Sequence, residues 1–185
     1  MKRQIIGPTC SGTSALGKLL AEDFEVPWFD ADDILWEKTD TPFTVQKEKM
    51  ERINILEKIF NENITLVLSG WTAGWGDIIT DKLDLVIYKY VEQDIRIKRL
   101  YEREKQRHGN RIDPGNDMHE GFKKLEEYIK LYDIGGMDIR SKKRQLHWLN
   151  ELKCKIIKLE KNIPLIDELK IVKDEMEKLN IIIKR

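Results

Sequence analysis

Short apolar runs and helical patterns alternate along the whole chain, and this alternation restricts the fold more than any single residue does. The runs occupy residues 5–6, 26–29, 64–68, 85–88 and 156–159. Helical spacing marks 45–60, 92–107, 122–132 and 142–149, and a last segment places Leu165, Leu169, Val172, Met176 and Leu179 four, three, four and three apart. Brief Ile- and Val-rich strands separated by helices pair in parallel and are buried on both faces. The expected fold is α/β, a three-layer α/β/α arrangement with helices on both faces of a parallel sheet. Ligands bind such sheets at the carboxyl ends of the strands.

The first run leads into Gly7-Pro8-Thr9-Cys10-Ser11-Gly12-Thr13-Ser14, after which Leu16, Leu19 and Leu20 mark one side of a helix. Glycines let successive backbone N–H groups point into one concavity, and the helix N-terminus adds its positive dipole end, so the segment suits phosphate oxygens. The pattern G-x-x-x-x-G-K-[ST] adds a lysine for the β- and γ-phosphates and a hydroxyl for Mg2+. Here Ser14 keeps the hydroxyl, whereas Thr13 stands in place of the lysine. Lys18 does not replace it, because it lies about 7.5 Å further along the helix axis. Thr9, Cys10, Ser11, Gly12, Thr13 and Ser14, together with Gly7, are the expected nucleotide-binding set, with Ser14 also the metal-binding residue. Cys10 contributes either a thiolate favoured by the helix end or simply its backbone N–H.

With 33 basic and 33 acidic residues in 185, the net charge is zero. Nothing in this balance attracts nucleic acid or an anionic membrane. No apolar run has the length of a membrane span, and Met1-Lys2-Arg3 leads directly into the first strand, so a cytoplasmic protein is expected. Two cysteines, Cys10 and Cys154, have no metal-ligand spacing and fit a reducing compartment. The length suits one domain spanning 1–185.

The second run ends in Phe29-Asp30-Ala31-Asp32-Asp33, which brings carboxylates to the sheet edge that carries the glycine loop. One acid there can orient magnesium waters, and another can accept a proton from an attacking hydroxyl. Asp30 and Asp32 alternate onto one side if the strand continues, and Asp33 either joins them or begins a helix as a cap or first-turn acid. The third run ends at Ser69-Gly70, where phosphate-loop enzymes commonly carry a metal-holding acid; Ser69 brings no charge. In the following loop Trp71 and Trp75 either stack on a flat substrate or roof the sheet, and Asp77 is a candidate for a polar group.

Arg99, Arg103 and Arg107 recur at i,i+4 spacing, which stacks three guanidinium groups on one helix face. Either the face is solvated, with Glu102 and Glu104 relieving repulsion, or Arg99 and Arg103 stabilise charge on a transferring phosphoryl group. Pro114-Gly115 marks a turn within an Arg- and Gly-flanked stretch of 104–120, the expected lid. His119, beside Asp117 and Glu120, is a metal candidate or a surface residue.

The loop at 7–14, the Asp30-Ala31-Asp32 end of the second strand and the Arg99-Leu100-x-x-Arg103 spacing resemble the nucleoside-monophosphate kinase and shikimate kinase group of phosphate-loop proteins. Within it the chain is similar to a bacterial branch labelled adenylate-kinase-related or AAA-family ATPase, with Gly-Thr-Ser in the loop, Leu-Ser-Gly-Trp after the third strand and Asp-Met-His-Glu beyond the arginines. This resemblance implies a five-stranded parallel sheet, ATP with Mg2+, and a lid containing the arginines. By it, Gly7, Gly12 and Ser14 take the phosphate and magnesium positions, Asp30 and Asp32 the paired acids, and Arg99 and Arg103 the arginines leading into the lid. The acceptor-side segment at 31–62 holds a single arginine, Arg52, which favours a hydroxyl acceptor over a nucleoside monophosphate. The expectation is an ATP-dependent kinase of a small molecule or nucleotide; the alternative is a nucleotide-binding module that transfers nothing.

Overall fold

The alternating pattern is realised in a computed structural model that describes residues 1–39 and 43–179. Five strands, β1 (Lys2–Ile6), β2 (Trp28–Asp30), β3 (Leu66–Ser69), β4 (Leu85–Lys89) and β5 (Lys155–Leu159), form one parallel sheet in the order β2-β3-β1-β4-β5. The helices are α1 (Thr13–Phe24), α2 (Ala31–Leu35), α3 (Lys49–Glu62), α4 (Gln93–His108), α5 (His119–Ile134), α6 (Lys142–Glu151) and α7 (Leu165–Lys178). Residues 40–42 of the expected acceptor-side segment and 180–185 of the expected domain lie outside the described residues.

Strand alternation divides the core into two layers. Ile5, Val67, Leu85, Ile87, Ile157 and Leu159 face α1 and α7, where Leu16, Leu20, Leu169, Val172 and Met176 complete one cluster. Ile6, Leu66, Leu68, Val86 and Tyr88 face the other way and pack with Ile34, Leu56, Phe60, Trp148 and Leu149 of α2, α3 and α6. Most of these side chains are fully buried, and each contributes about 1.5–3 kcal/mol relative to exposure. This is the expected three-layer arrangement, and it leaves the carboxyl ends of β1, β2, β3 and β4 at one edge.

One expected boundary is corrected, and one left conditional is decided. Residues 45–48 are not helical: Gln46 bridges antiparallel to Trp36, and Glu37 N–H donates to the Val45 carbonyl at 2.8 Å. Backbone pairing across this excursion holds them extended, so α3 starts only at Lys49. Strand β2 also stops at Asp30 rather than continuing, because the Asp30 carboxylate accepts the Asp32 N–H at 3.0 Å and caps α2. Asp32 and Asp33 therefore occupy the first turn of a helix, and the strand-type alternation of Asp30 with Asp32 does not occur.

Candidate functional site

At the end of β1 the chain turns through Gly7, whose missing side chain is required because a Cβ there would collide with the Lys89 carbonyl of β4. The loop then passes through left-handed backbone at Cys10 (φ 65°) and Gly12 (φ 92°). Glycine tolerates that conformation freely, whereas Cys10 adopts it at some cost. Gly12 precedes α1 without any side-chain cap, so the first-turn N–H groups remain available to an anion. The Ser11 hydroxyl is buried and has no hydrogen-bond partner among the described residues. Burial raises the Cys10 thiol pKa despite the nearby Arg103, which disfavours the thiolate.

The Ser14 hydroxyl donates to Asp30 Oδ2 at 2.7 Å, joining the start of α1 to the end of β2. Asp30 thus uses one oxygen for Ser14 and the other for the cap of α2. Asp32 lies beside it. Its pKa is raised, first by desolvation within the cleft and then by the neighbouring Asp30 charge, with Arg140 opposing. Asp32 keeps an exposed surface on the cleft wall.

These groups line one open cleft of about 540 Å³ together with Lys89, Arg99, Arg103, Arg107, Arg140 and Glu168. Arg99 Nη1 donates to the Cys10 and Ser11 carbonyls at 3.3 and 3.2 Å, and Nη2 donates to Asn162 Oδ1 at 2.7 Å. Arg103 donates to Glu104 Oε1 at 2.8 Å, and Arg107 and His108 approach the same carboxylate. The arginine face is therefore neither fully solvated nor fully free: Glu104, nearly buried, holds the middle of it.

Several other candidates stand apart from this cleft. Trp71 packs edge-on against Trp148 with ring centroids 5.3 Å apart, and Trp75 donates to the Trp71 carbonyl, so both indoles roof the sheet. The Asp77 carboxylate accepts the Gly74 N–H in a local turn. His119 Nδ1 meets the Ile112 carbonyl at 2.9 Å, and among the described residues no group of three potential ligands is placed to hold a metal. Ser69 is fully buried, accepting from Trp28 Nε1 and donating to the Thr13 carbonyl. Lys18 lies over the Trp28 ring, away from the loop mouth.

Two cleft residues escape a reading of the sequence. Arg140, from the connection between α5 and α6, donates to the Gly7 carbonyl at 2.7 Å, and nothing in the surrounding sequence marks it. Lys89 ends the otherwise apolar β4, and a cation at the carboxyl end of a buried parallel strand is a signal in its own right.

No family model matches the chain. It is 38% identical over 156 residues to the uncharacterized protein YqaC of Bacillus subtilis (strain 168), an alignment covering 84% of this chain and 86% of that one. The chain belongs to the YqaC family. Among solved structures, this YqaC-family chain is similar to a shikimate kinase from Acinetobacter baumannii in complex with shikimate, with a TM-score of 0.58, 16% identity, and 96% and 93% of the two chains covered. It is also similar to an uncharacterized protein from Eubacterium ventriosum (TM-score 0.54, 18% identity, 96% and 98% covered) and a gluconokinase from Sinorhizobium meliloti (0.52, 13%, 96% and 92%). At these identities the likeness shows the fold alone, the five-stranded parallel sheet with helices on both faces. No helix among the described residues is long and apolar enough to cross a membrane.

Proposed function

We propose that this YqaC-family protein binds ATP with Mg2+ and transfers the γ-phosphoryl group to a small acceptor, for which a hydroxyl compound is favoured over a nucleotide. The observation that carries this reading is the Ser14–Asp30 hydrogen bond at the loop mouth, with Asp32 and several cations lining the same cleft. A hydroxyl and a carboxylate side by side are hard oxygen donors suited to Mg2+, which keeps most of its waters and is otherwise held by phosphate. The buried Ser11 hydroxyl and the start of α1, neither with a side-chain partner among the described residues, suit phosphate oxygens. When bound, Mg2+ neutralises charge on the phosphates.

In this reading the backbone of residues 7–14 and Thr13 cradle the phosphates, and Ser14 and Asp30 hold the metal and its waters. Asp32 accepts the proton as the acceptor oxygen forms its bond to the γ-phosphorus and the bond to the leaving ADP oxygen breaks. The raised Asp32 pKa makes that carboxylate a better base than an ordinary one. Arg99 organises the loop through its carbonyls, and Arg103 leaves Glu104 for the transferring phosphoryl group as residues 104–120 close as a lid. The whole chain works as one domain, with 31–62 on the acceptor side, in the cytoplasm and without nucleic acid or membrane as partner.

The test is to add ATP and Mg2+ while monitoring thermal unfolding, then to follow labelled γ-phosphate across polyols, sugars, nucleosides and nucleotides. A raised melting temperature with label transferred to one acceptor class is expected. No shift with millimolar ATP or GTP would overturn the nucleotide reading. A shift without transfer would favour the second reading, a nucleotide-binding module without catalysis, which Thr13 and the structurally engaged Ser69 support.

A further inference from the structure

The loop lacks a lysine at position 13, yet an ammonium group stands next to it. A Cβ placed on Gly12 would lie 3.2 Å from Lys89 Cε and 3.8 Å from its Nζ, so the lysine tip from β4 reaches the residue before Thr13. Lys89 is nearly buried, and its one acceptor among the described residues is Glu168 in the first turn of α7, itself 1% exposed. An ammonium carries three donors, so two remain for a ligand. The second Glu168 oxygen, Oε2, is buried without a partner among the described residues.

We propose that Lys89 supplies from β4 the phosphate-binding cation that the loop lacks, and that Glu168 holds this ammonium beside the loop until phosphate takes its place. The assignment rests on the nucleotide reading above and names the group that does the lysine's work. A fully desolvated lysine without an acceptor is costly, so a carboxylate that fills the site in the absence of ligand keeps the charge in position. The Lys89 pKa is lowered overall, because burial pulls it down by more than the neighbouring Glu168 carboxylate raises it. Arg99 Nη1 approaches the same point, 3.9 Å from a Cβ on Gly12, but is already committed to the Cys10 and Ser11 carbonyls. Of the two cationic groups that reach this point, Lys89 Nζ is the one not already tied to the loop backbone.

Calorimetric titration with Mg·ATP and with inorganic tripolyphosphate tests this in the full-length chain. Because Lys89→Met alone would strand a buried carboxylate, the informative variant is K89M/E168Q, which removes both charges together. It is expected to lose about tenfold or more in affinity for both probes, and adding Thr13→Lys should restore most of the loss. Glu168→Gln alone, which leaves the ammonium an acceptor but removes the charge that competes with phosphate, should tighten both. Wild-type affinity in K89M/E168Q would overturn the Lys89 assignment while leaving the nucleotide reading intact. A wild-type chain that binds neither probe would overturn both. Should the double variant fail to fold by circular dichroism, E168Q decides: tighter binding supports the exchange, and unchanged or weaker binding overturns it.

Discussion

Ser14 and Asp30 meet through a 2.7 Å hydrogen bond between the first turn of α1 and the end of β2, while the other Asp30 oxygen caps α2. One carboxylate therefore fixes both the candidate metal position and the backbone that carries Asp32. Asp30→Ala is expected to cost about 1 kcal/mol of stability through the lost cap, and to abolish the Mg2+ dependence of ATP binding. Ser14→Ala should reproduce the second effect without the first. Urea unfolding and titrations with and without Mg2+ separate the two.

Asp32 should set the acid limb of the pH profile. Its folded pKa lies above the ordinary carboxylate range, so the neutral form is the one that folding favours. The stability it brings is present below the unfolded pKa and is lost as pH rises through the folded value; at neutral pH the ionised group is a cost. Asp32→Asn is thus expected to raise the melting temperature at pH 7 and lower turnover by ~10²–10⁴. In the wild type, transfer should fall at a pH above that of an ordinary carboxylate as acid is added. A stability loss in D32N at pH 7 would contradict this account.

Arg99 and Arg103 share a helix face but should fail differently. Arg99 holds two loop carbonyls and Asn162, so Arg99→Ala is expected to weaken ATP binding and lower the melting temperature together. Among the described residues Arg103 is tied only to Glu104, and it remains partly exposed. Arg103→Ala should leave the melting temperature nearly unchanged and reduce kcat by ~10²–10³. Equal turnover in R103A and wild type would remove Arg103 from the chemistry.

Arg96 begins the same basic stretch but belongs to the core. Fully buried, it donates to the Val91 and Ile129 carbonyls and pairs with Asp133 of α5. Arg96→Met strands those acceptors and is expected to cost about 3–5 kcal/mol in chemical denaturation, with no direct effect on ATP affinity in the folded fraction.

Local periodicity made the sheet, its helices and the loop at 7–14 legible, because each rests on residues close in sequence. The 45–48 stretch misled for the opposite reason: Val45 fits a helical pattern, but pairing of Gln46 with Trp36 overrides it. Trp71 and Trp75 were open to two readings until Trp148, far along the chain, filled one of them. Lys89 carries a signal as a cation ending an apolar strand, but its pairing with Glu168, 79 positions later, has no local trace.

The Gly7 carbonyl accepts from Arg140 and Gln145, at sequence separations of 133 and 138. The loop at 7–14 therefore acquires its final shape only once residues 133 and 138 positions further along have packed against it. Contacts this distant carry a large loop-closure entropy and slow folding. A nascent chain ending after β4 holds every residue of the loop, yet lacks the partners that set its geometry.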